Sequence, residues 1–323
     1  FKFALSLHDI NGQVRIDRFL YSIEASNLKK VSCDKGNLSY VDHNSSQHLF
    51  QFLEFNCYGK STTGNNIITP FVLGFEEFFS QVFYLGPNRI NPQRFYHWKG
   101  THPKKIEFSG FGAIDAVLSG GIRKLKSSNA KDATLIEDRI SEWLQKMKLV
   151  HSFRVIPTKL LDDQNYEVRI RKSPNSAEVT LTDMGYGLAD VLPMLIYCYY
   201  VEEGSTLILE QPGVHLHPMV QSELADFFIE VVNERNLQIL VESHSEHLLT
   251  RLQRRIAEEK ISSDQTALYF CENKNGSSEL IPLDLDEFGN IKNWPKNFFG
   301  NEMGDLFAMT KAQSERRKRM EAE

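Results

Sequence analysis

Cysteine is scarce. The 323 residues contain four, and none of Cys33, Cys57, Cys198 and Cys271 belongs to a CxxC pair. That usage points to reduced, structural thiols in a cytosolic protein. Long apolar runs are missing too. The longest, Val191–Val201, holds Pro193 and three tyrosines and is too short to span a bilayer. Nothing at the start reads as a signal peptide. There is no excess of positive charge: the formal net charge of −5 argues against a uniformly basic nucleic-acid binder and allows only a local basic patch. Internal repeats, low-complexity tracts and long heptad segments are absent, so a long coiled coil within this chain is not expected. The phosphate-cradling motif GxxxxGK[ST] is also absent. Gly59-Lys60-Ser61-Thr62 imitates its tail, but Glu54 stands where the first glycine belongs. The residues that follow, Thr63-Gly64-Asn65-Asn66, show no helical pattern. A phosphate cradle needs a glycine turn that opens a helix, so Gly59-Lys60 reads as a surface turn.

With 41% hydrophobic and 24% charged residues, the chain has the composition of an ordinary globular protein in one large or two modest domains. Residues 1–55 read as a β-meander of short alternating runs (Phe1–Leu7, Val14–Ala25, Leu28–Cys33, Asn37–Val41), with turn dipeptides at Asn11-Gly12 and Lys35-Gly36. Pro70–Ser80 reads as helical. Gln81–Leu85 reads as a strand ending in Gly86-Pro87-Asn88-Arg89. Residues 92–130 interleave bases and aromatics, a pattern compatible with either nucleic-acid contact or a solvated loop. A helix is expected to start at Ala113 after Ser109-Gly110-Phe111-Gly112. Another is expected over Leu135–Leu149, with Ile136, Ile140, Trp143, Leu144 and Met147 on one face. Tyr166–Lys172 and Glu178–Leu181 alternate around Pro174-Asn175, as a hairpin does.

The stretch Ser205–His247 is the most informative. Thr206-Leu207-Ile208-Leu209 has the pattern of a buried strand and ends on Glu210-Gln211-Pro212. Pro218 suits the first turn of a helix, which continues through Val220, Leu224, Phe227, Phe228, Val231 and Val232 and ends near Asn233–Asn236. Leu237–Val241 is a second buried strand, and it ends on Glu242-Ser243-His244. Two neighbouring parallel strands that end on polar groups match a nucleoside triphosphatase, in which a carboxylate strand lies beside a strand that delivers a polar residue to the γ-phosphate. Downstream, a helix is expected at Leu248–Glu259, strands at Ala267–Cys271 and Leu280–Leu283, an acidic turn at Asp284–Asn290, and a solvated helical tail at Lys311–Glu323.

These segments resemble the Walker B and H-loop regions of ABC-type ATPases, in the branch that includes RecF, SMC and OLD-family proteins. LILEQPGVHLHP and ILVESHSEHLLTRLQRR resemble a group of bacterial predicted ATPases within that branch. The likeness covers residues 80 to 305. It implies an α/β fold: an ABC-type P-loop ATPase head with a β-subdomain, helical insertions and a small C-terminal cap. The implied divisions are residues 1–80 as the β-rich part, 81–275 as the core and 276–323 as a C-terminal extension. The chain opens on Phe1 rather than Met, so the P-loop is expected upstream of it; without one, the protein would be a pseudo-ATPase.

The resemblance also implies site residues. Glu210 would hold Mg²⁺. Gln211 would orient the attacking water, occupying a position where many relatives carry a catalytic Glu. His244, assisted by Ser243, would contact the γ-phosphate. Arg89 would contact phosphate or a partner subunit. Asp183–Pro193 resembles the signature segment, whose Gly185 and Gly187 would approach nucleotide held by a second copy. Three departures, Gln211, Gly213 and Ala189, imply slow hydrolysis or ATP used mainly to hold a dimer. ATP and Mg²⁺ are the implied cofactors. The implied partners are a homo-oligomer, a separate nuclease and DNA or RNA, with no membrane, as in Septu- or retron-type anti-phage systems with PtuA-like ATPases, or in DNA repair. Two other readings stand beside this one: a nucleotide-independent scaffold, and a metal-dependent hydrolase built from Glu210, His215, His217, His244 and His247.

Overall fold

The computed structural model describes the backbone of residues 2–10, 13–22, 28–34, 37–42 and 47–51. It also describes residues 76–120 (save 78), 135–158, 164–299 (save 275, 296 and 297) and 307–317 (save 315). The chain divides into two compact units, Phe1–Val82 and Phe83–Glu323.

In the first unit, β1 (Lys2–Ile10), β2 (Gln13–Ser22), β3 (Leu28–Asp34), β4 (Asn37–Asp42) and β5 (Gln47–Gln51) form an antiparallel meander in chain order. Ile10 pairs with Gln13 and Asp34 with Asn37, flanking the two turn dipeptides expected from the sequence. Strand β5 was not foreseen. Its five residues alternate too briefly to stand out, and pairing with β4 is what makes them a strand. The Gly59–Thr62 stretch lies outside the described residues.

The second unit opens within β6 (Val82–Leu85), followed by β7 (Tyr96–His97), α1 (Ala113–Gly120), α2 (Ile136–Lys146), β8 (Ser152–Pro157), β9 (Asn165–Arg171) and β10 (Glu178–Thr180). Then come α3 (Tyr186–Tyr200), β11 (Thr206–Glu210), α4 (Pro218–Arg235), β12 (Gln238–Glu242), α5 (Glu246–Ala257), β13 (Leu268–Lys274) and β14 (Ser277–Leu283). One described sheet has the order β12-β11-β6; in another, β9 carries β8, β10 and β7 as antiparallel neighbours; β13 and β14 form a hairpin. Strands β11 and β12 run parallel, with Thr206 opposite Gln238 and Glu210 opposite Glu242. Parallel strands need a crossover, and α4 provides it. The α/β class expected from the sequence is the one observed.

Local chemistry sets the ends of these helices. Pro218 occupies the first turn of α4, and the His217 ring accepts the Met219 N–H at 3.3 Å. The helix stops at Asn236, whose φ of +52° is left-handed. Ser245 caps α5, its Oγ accepting the Leu248 N–H at 3.1 Å. Helix α3 is buried along most of its length, which accounts for the Val191–Val201 run: it crosses the core. Its last carbonyls need partners, and the buried Arg235 at the end of α4 supplies them, donating to Cys198 O at 2.5 Å and Val201 O at 2.7 Å. Phe227 of α4 lies edge-on to Trp143 of α2 and Tyr199 of α3, with ring centroids 5.2 and 5.8 Å apart. Burying one such ring contributes about 1.5–3 kcal/mol. The core therefore clamps α4 between its two strands and fixes where β11 and β12 end. None of the described helices is long and apolar enough to cross a membrane.

Candidate functional site

Glu210 is the last residue of β11, a strand that buries Leu207 and Leu209 in the core, and its place in the sheet fixes its backbone. Two groups outside the strand converge on it. Tyr84 of β6 donates its hydroxyl to Glu210 Oε1 at 3.0 Å. Arg89 donates through Nη2 to the Glu210 carbonyl oxygen at 3.1 Å. The hydrogen bond to Glu210, with burial second, raises the Tyr84 pKa, so its hydroxyl stays a donor across the ordinary pH range. Gly86 keeps room for this arrangement, since a Cβ there would stand 3.2 Å from the Tyr84 hydroxyl.

Arg89 is part-buried, and its Nε and Nη1 are buried without a hydrogen-bond partner. Burial holds its guanidinium below the usual range, against the pull of Asp190, Tyr84 and Glu210. A desolvated guanidinium with two unfilled donors is costly on its own and suits an incoming anion.

Gln211 follows with φ +47°, an unusual conformation for a residue with a side chain. Its N–H reaches across to the Glu242 carbonyl at 2.9 Å, and its own carbonyl accepts the Gly213 N–H at 2.7 Å. The chain therefore turns sharply at the strand end, and these bonds hold it there.

On β12, Glu242 stands opposite Glu210, and the Thr206 hydroxyl donates to the Gln238 side chain at 3.0 Å four residues earlier in each strand. That bond places Thr206 and Gln238 on one face. With a side-chain period of two, Glu210 and Glu242 share it. Ser243 accepts the Ser245 N–H at 3.1 Å. His244 is exposed, and its Nε2 stands 3.6 Å from Glu242 Oε1, beyond hydrogen-bond reach.

The glycine segment opens α3. Gly185 is its N-cap, with open space where a Cβ would be, and Tyr186 is 68% exposed beside it, so this helix start is bare. Gly187 is different: a Cβ there would meet His215 O at 2.8 Å and Leu216 Cδ2 at 3.2 Å. The Asp190 carboxylate is hydrogen-bonded to His215 Nδ1. The helix start and the loop after β11 are thus locked together. Ala189 is buried. A cavity of 280 Å³ lies on its side of α3, also lined by His97, Asp115 and Pro193.

Sequence reasoning marked Glu210, Gln211, Ser243 and His244 at the ends of two strands; in the structure Arg89 donates to the Glu210 carbonyl, Gln211 bonds the Glu242 carbonyl, and Ser243 and His244 follow Glu242 at the end of the adjacent strand. It missed Tyr84, whose only sequence cue was its place just ahead of Leu85-Gly86-Pro87, and the Asp190–His215 pair, which had none. The metal-hydrolase constellation does not form. Among the described residues, no three His, Cys, Asp or Glu side chains converge as that His-rich site would require. His217 caps α4 and His215 pairs with Asp190 instead. Two members of the basic–aromatic stretch also have partners within the protein: Arg94 pairs with Asp183 at 3.0 Å, and Trp98 Nε1 donates to Thr101 O at 2.8 Å.

Residues 111–249 match the family described as AAA ATPase domain, and residues 261–309 match one described as a protein of unknown function (DUF3696). No curated protein matches the chain. Among solved structures, an SMC head bound to the C-winged helix domain of ScpA is 10% identical over 84% of this chain and 74% of its own, with a TM-score of 0.42. One from work on ATP-driven dimerization and DNA-stimulated activation of SMC ATPases is 14% identical over 46% of this chain and 83% of its own, at 0.36. The Smc head from Pyrococcus furiosus with an extended coiled coil is 13% identical over 46% of this chain, which spans only 34% of that structure, at 0.34.

Proposed function

We propose that this protein binds ATP with Mg²⁺ at the ends of β11 and β12, hydrolyses it slowly, and dimerises around it. The premise is the ATPase-domain match over residues 111–249. The observation that carries the reading is Arg89, with two buried donors left unpartnered beside the carboxylate that ends a parallel strand. A guanidinium in that state is poised for phosphate oxygens, and a strand-end carboxylate is the hard oxygen ligand that Mg²⁺ takes. These residues fit the group. Bound Mg²⁺ would offset charge on the phosphates.

The chain's own residues divide the remaining work. Tyr84 occupies one oxygen of Glu210 and leaves the other for the metal. Arg89, Ser243 and His244 hold the phosphates. Gln211, fixed by its bond to Glu242, orients water. The bare α3 start at Gly185 offers unpaired N–H groups and the positive end of a helix dipole to nucleotide on a second copy, with Gly187 behind it. Control of a partner nuclease acting on DNA or RNA, in a cytoplasmic defence or repair setting, is the role that the resemblance suggests for such a dimer.

The test is ATP binding and turnover by the full-length protein, beside Glu210→Ala and His244→Ala. Binding is expected to fall in the first variant and turnover in the second. A folded wild type that binds no nucleotide in Mg²⁺ would refute the reading and favour the scaffold alternative.

A further inference from the structure

Gln211 poses a chemical problem under the ATPase reading: an amide can orient water but cannot accept its proton. A carboxylate beside that water would supply the base that Gln211 is not, and we infer that it is Glu242, acting as the catalytic carboxylate of this site. The role rests on the proposed function and adds to it a residue that the sequence did not single out.

Three observations place it there. Glu242 ends β12 in register with Glu210, on the same sheet face. Its backbone carbonyl receives the Gln211 N–H at 2.9 Å, so the residue that orients water and the carboxylate beside it belong to one hydrogen-bonded unit. The two carboxylates also differ in surroundings. Glu210 Oε1 is engaged by Tyr84, whereas the Glu242 carboxylate is half-exposed and, among the described residues, receives no hydrogen bond. His244 Nε2 stands 3.6 Å from its Oε1. Such contacts are often long before substrate arrives and tighten with it.

A pair of neighbouring carboxylates in unlike environments is the arrangement that separates a binding role from a proton-transfer role. Glu210, held on one oxygen, is the metal-facing member. Glu242 takes a proton from the attacking water as that oxygen bonds to the terminal phosphorus. The bond from phosphorus to the bridging oxygen breaks, and its electron pair leaves on the diphosphate. Glu242 then returns the proton to solvent, with His244 beside it.

The experiment uses the full-length protein and Glu242→Gln, which keeps size and removes basicity. General-base catalysis contributes about 100-fold or more, so turnover is expected to fall by at least that factor. ATP affinity in Mg²⁺ should stay within about threefold of wild type, because the group is not asked to bind it. Two readouts besides activity follow: the nucleotide recovered from the variant should be ATP rather than ADP, and sedimentation should show an ATP-held dimer that persists. Glu242→Asp should recover part of the lost rate, because it restores a base. Turnover near wild type in Glu242→Gln would overturn the assignment while leaving the ATPase reading intact. Parallel loss of Mg²⁺-dependent affinity would also overturn it, by making Glu242 a metal ligand. A wild type that binds no nucleotide would remove both readings together.

Discussion

Replacing Arg89 with methionine should make the nucleotide-free protein more stable and its hold on ATP weaker. The sign comes from the surroundings of the guanidinium. Burial holds its pKa below the usual range although Asp190, Tyr84 and Glu210 pull the other way, so the folded protein favours this charge less than water does. The Nε and Nη1 donors have no partner. Each unsatisfied buried donor costs about 1–3 kcal/mol, and the single bond to the Glu210 carbonyl returns about 1.5–3 kcal/mol. Methionine fills comparable space with no polar atoms. The balance predicts a nucleotide-free variant more stable by about 1 kcal/mol, a rise of about 2–4 °C in Tm for a unit of this size. The same change removes one charge-assisted contact to phosphate, so the ATP dissociation constant should rise about 10- to 100-fold. Thermal unfolding without nucleotide and titration calorimetry with Mg²⁺ and ATP measure the two quantities. A variant clearly less stable than wild type, with ATP affinity intact, would refute the claim that Arg89 is held unsatisfied for an anion.

Four further substitutions have expected outcomes. Gln211→Glu puts a second proton acceptor at the strand end and should raise ATP turnover; unchanged turnover in a folded variant would count against a catalytic position at Gln211. Gly187→Ala should destabilise the fold by about 1–3 kcal/mol, since its Cβ meets the His215 carbonyl at 2.8 Å. Gly185→Ala meets nothing, and should keep its Tm while weakening nucleotide-driven dimerisation, as equilibrium sedimentation would show. Asp226 lies under α5, taking hydrogen bonds from Arg255 Nε and Nη2 at 2.5 and 2.8 Å and from Arg251 at 2.6 Å. Burial opposes its charge, but these arginines outweigh burial and leave its pKa below the usual carboxylate value. A depressed acid stabilises the fold above its unfolded pKa and loses that contribution as pH falls through the folded value. Asp226→Asn should therefore destabilise by about 3 kcal/mol at pH 7. Denaturant titrations should show the gap closing below about pH 4.

How much was legible in the sequence differs from element to element. The run from β11 to α5 could be read element by element, because each carries its own pattern: an apolar strand, Pro218 at a helix start, Asn236 at its end, then another apolar strand; but β12, expected to be buried, alternates between exposed and part-buried residues, because apolar composition does not say what covers a strand. The β9–β10 hairpin was equally plain around Pro174-Asn175. Strand β7 was not, since only two residues pair with β9 some seventy positions later. The basic–aromatic stretch reads the same in a list of residues whether its side chains face solvent or, as with Arg94 on Asp183 and Trp98 on the Thr101 carbonyl, find partners within the protein.

By itself, the sequence determined that two neighbouring strands end in Glu210 and in Glu242-Ser243-His244, because strand patterns and helix caps are local properties of the chain. It determined the chemical kinds of group available there for the same reason. Only the tertiary structure decided which of them meet. Tyr84 reaches Glu210 across 126 positions, and Arg89 reaches its carbonyl across 121. Asp190 is joined to His215, and Gln211 is turned into the left-handed region. Those contacts depend on how the core clamps α3 and α4 against the sheet, and no local pattern records the distance between side chains that the fold brings together.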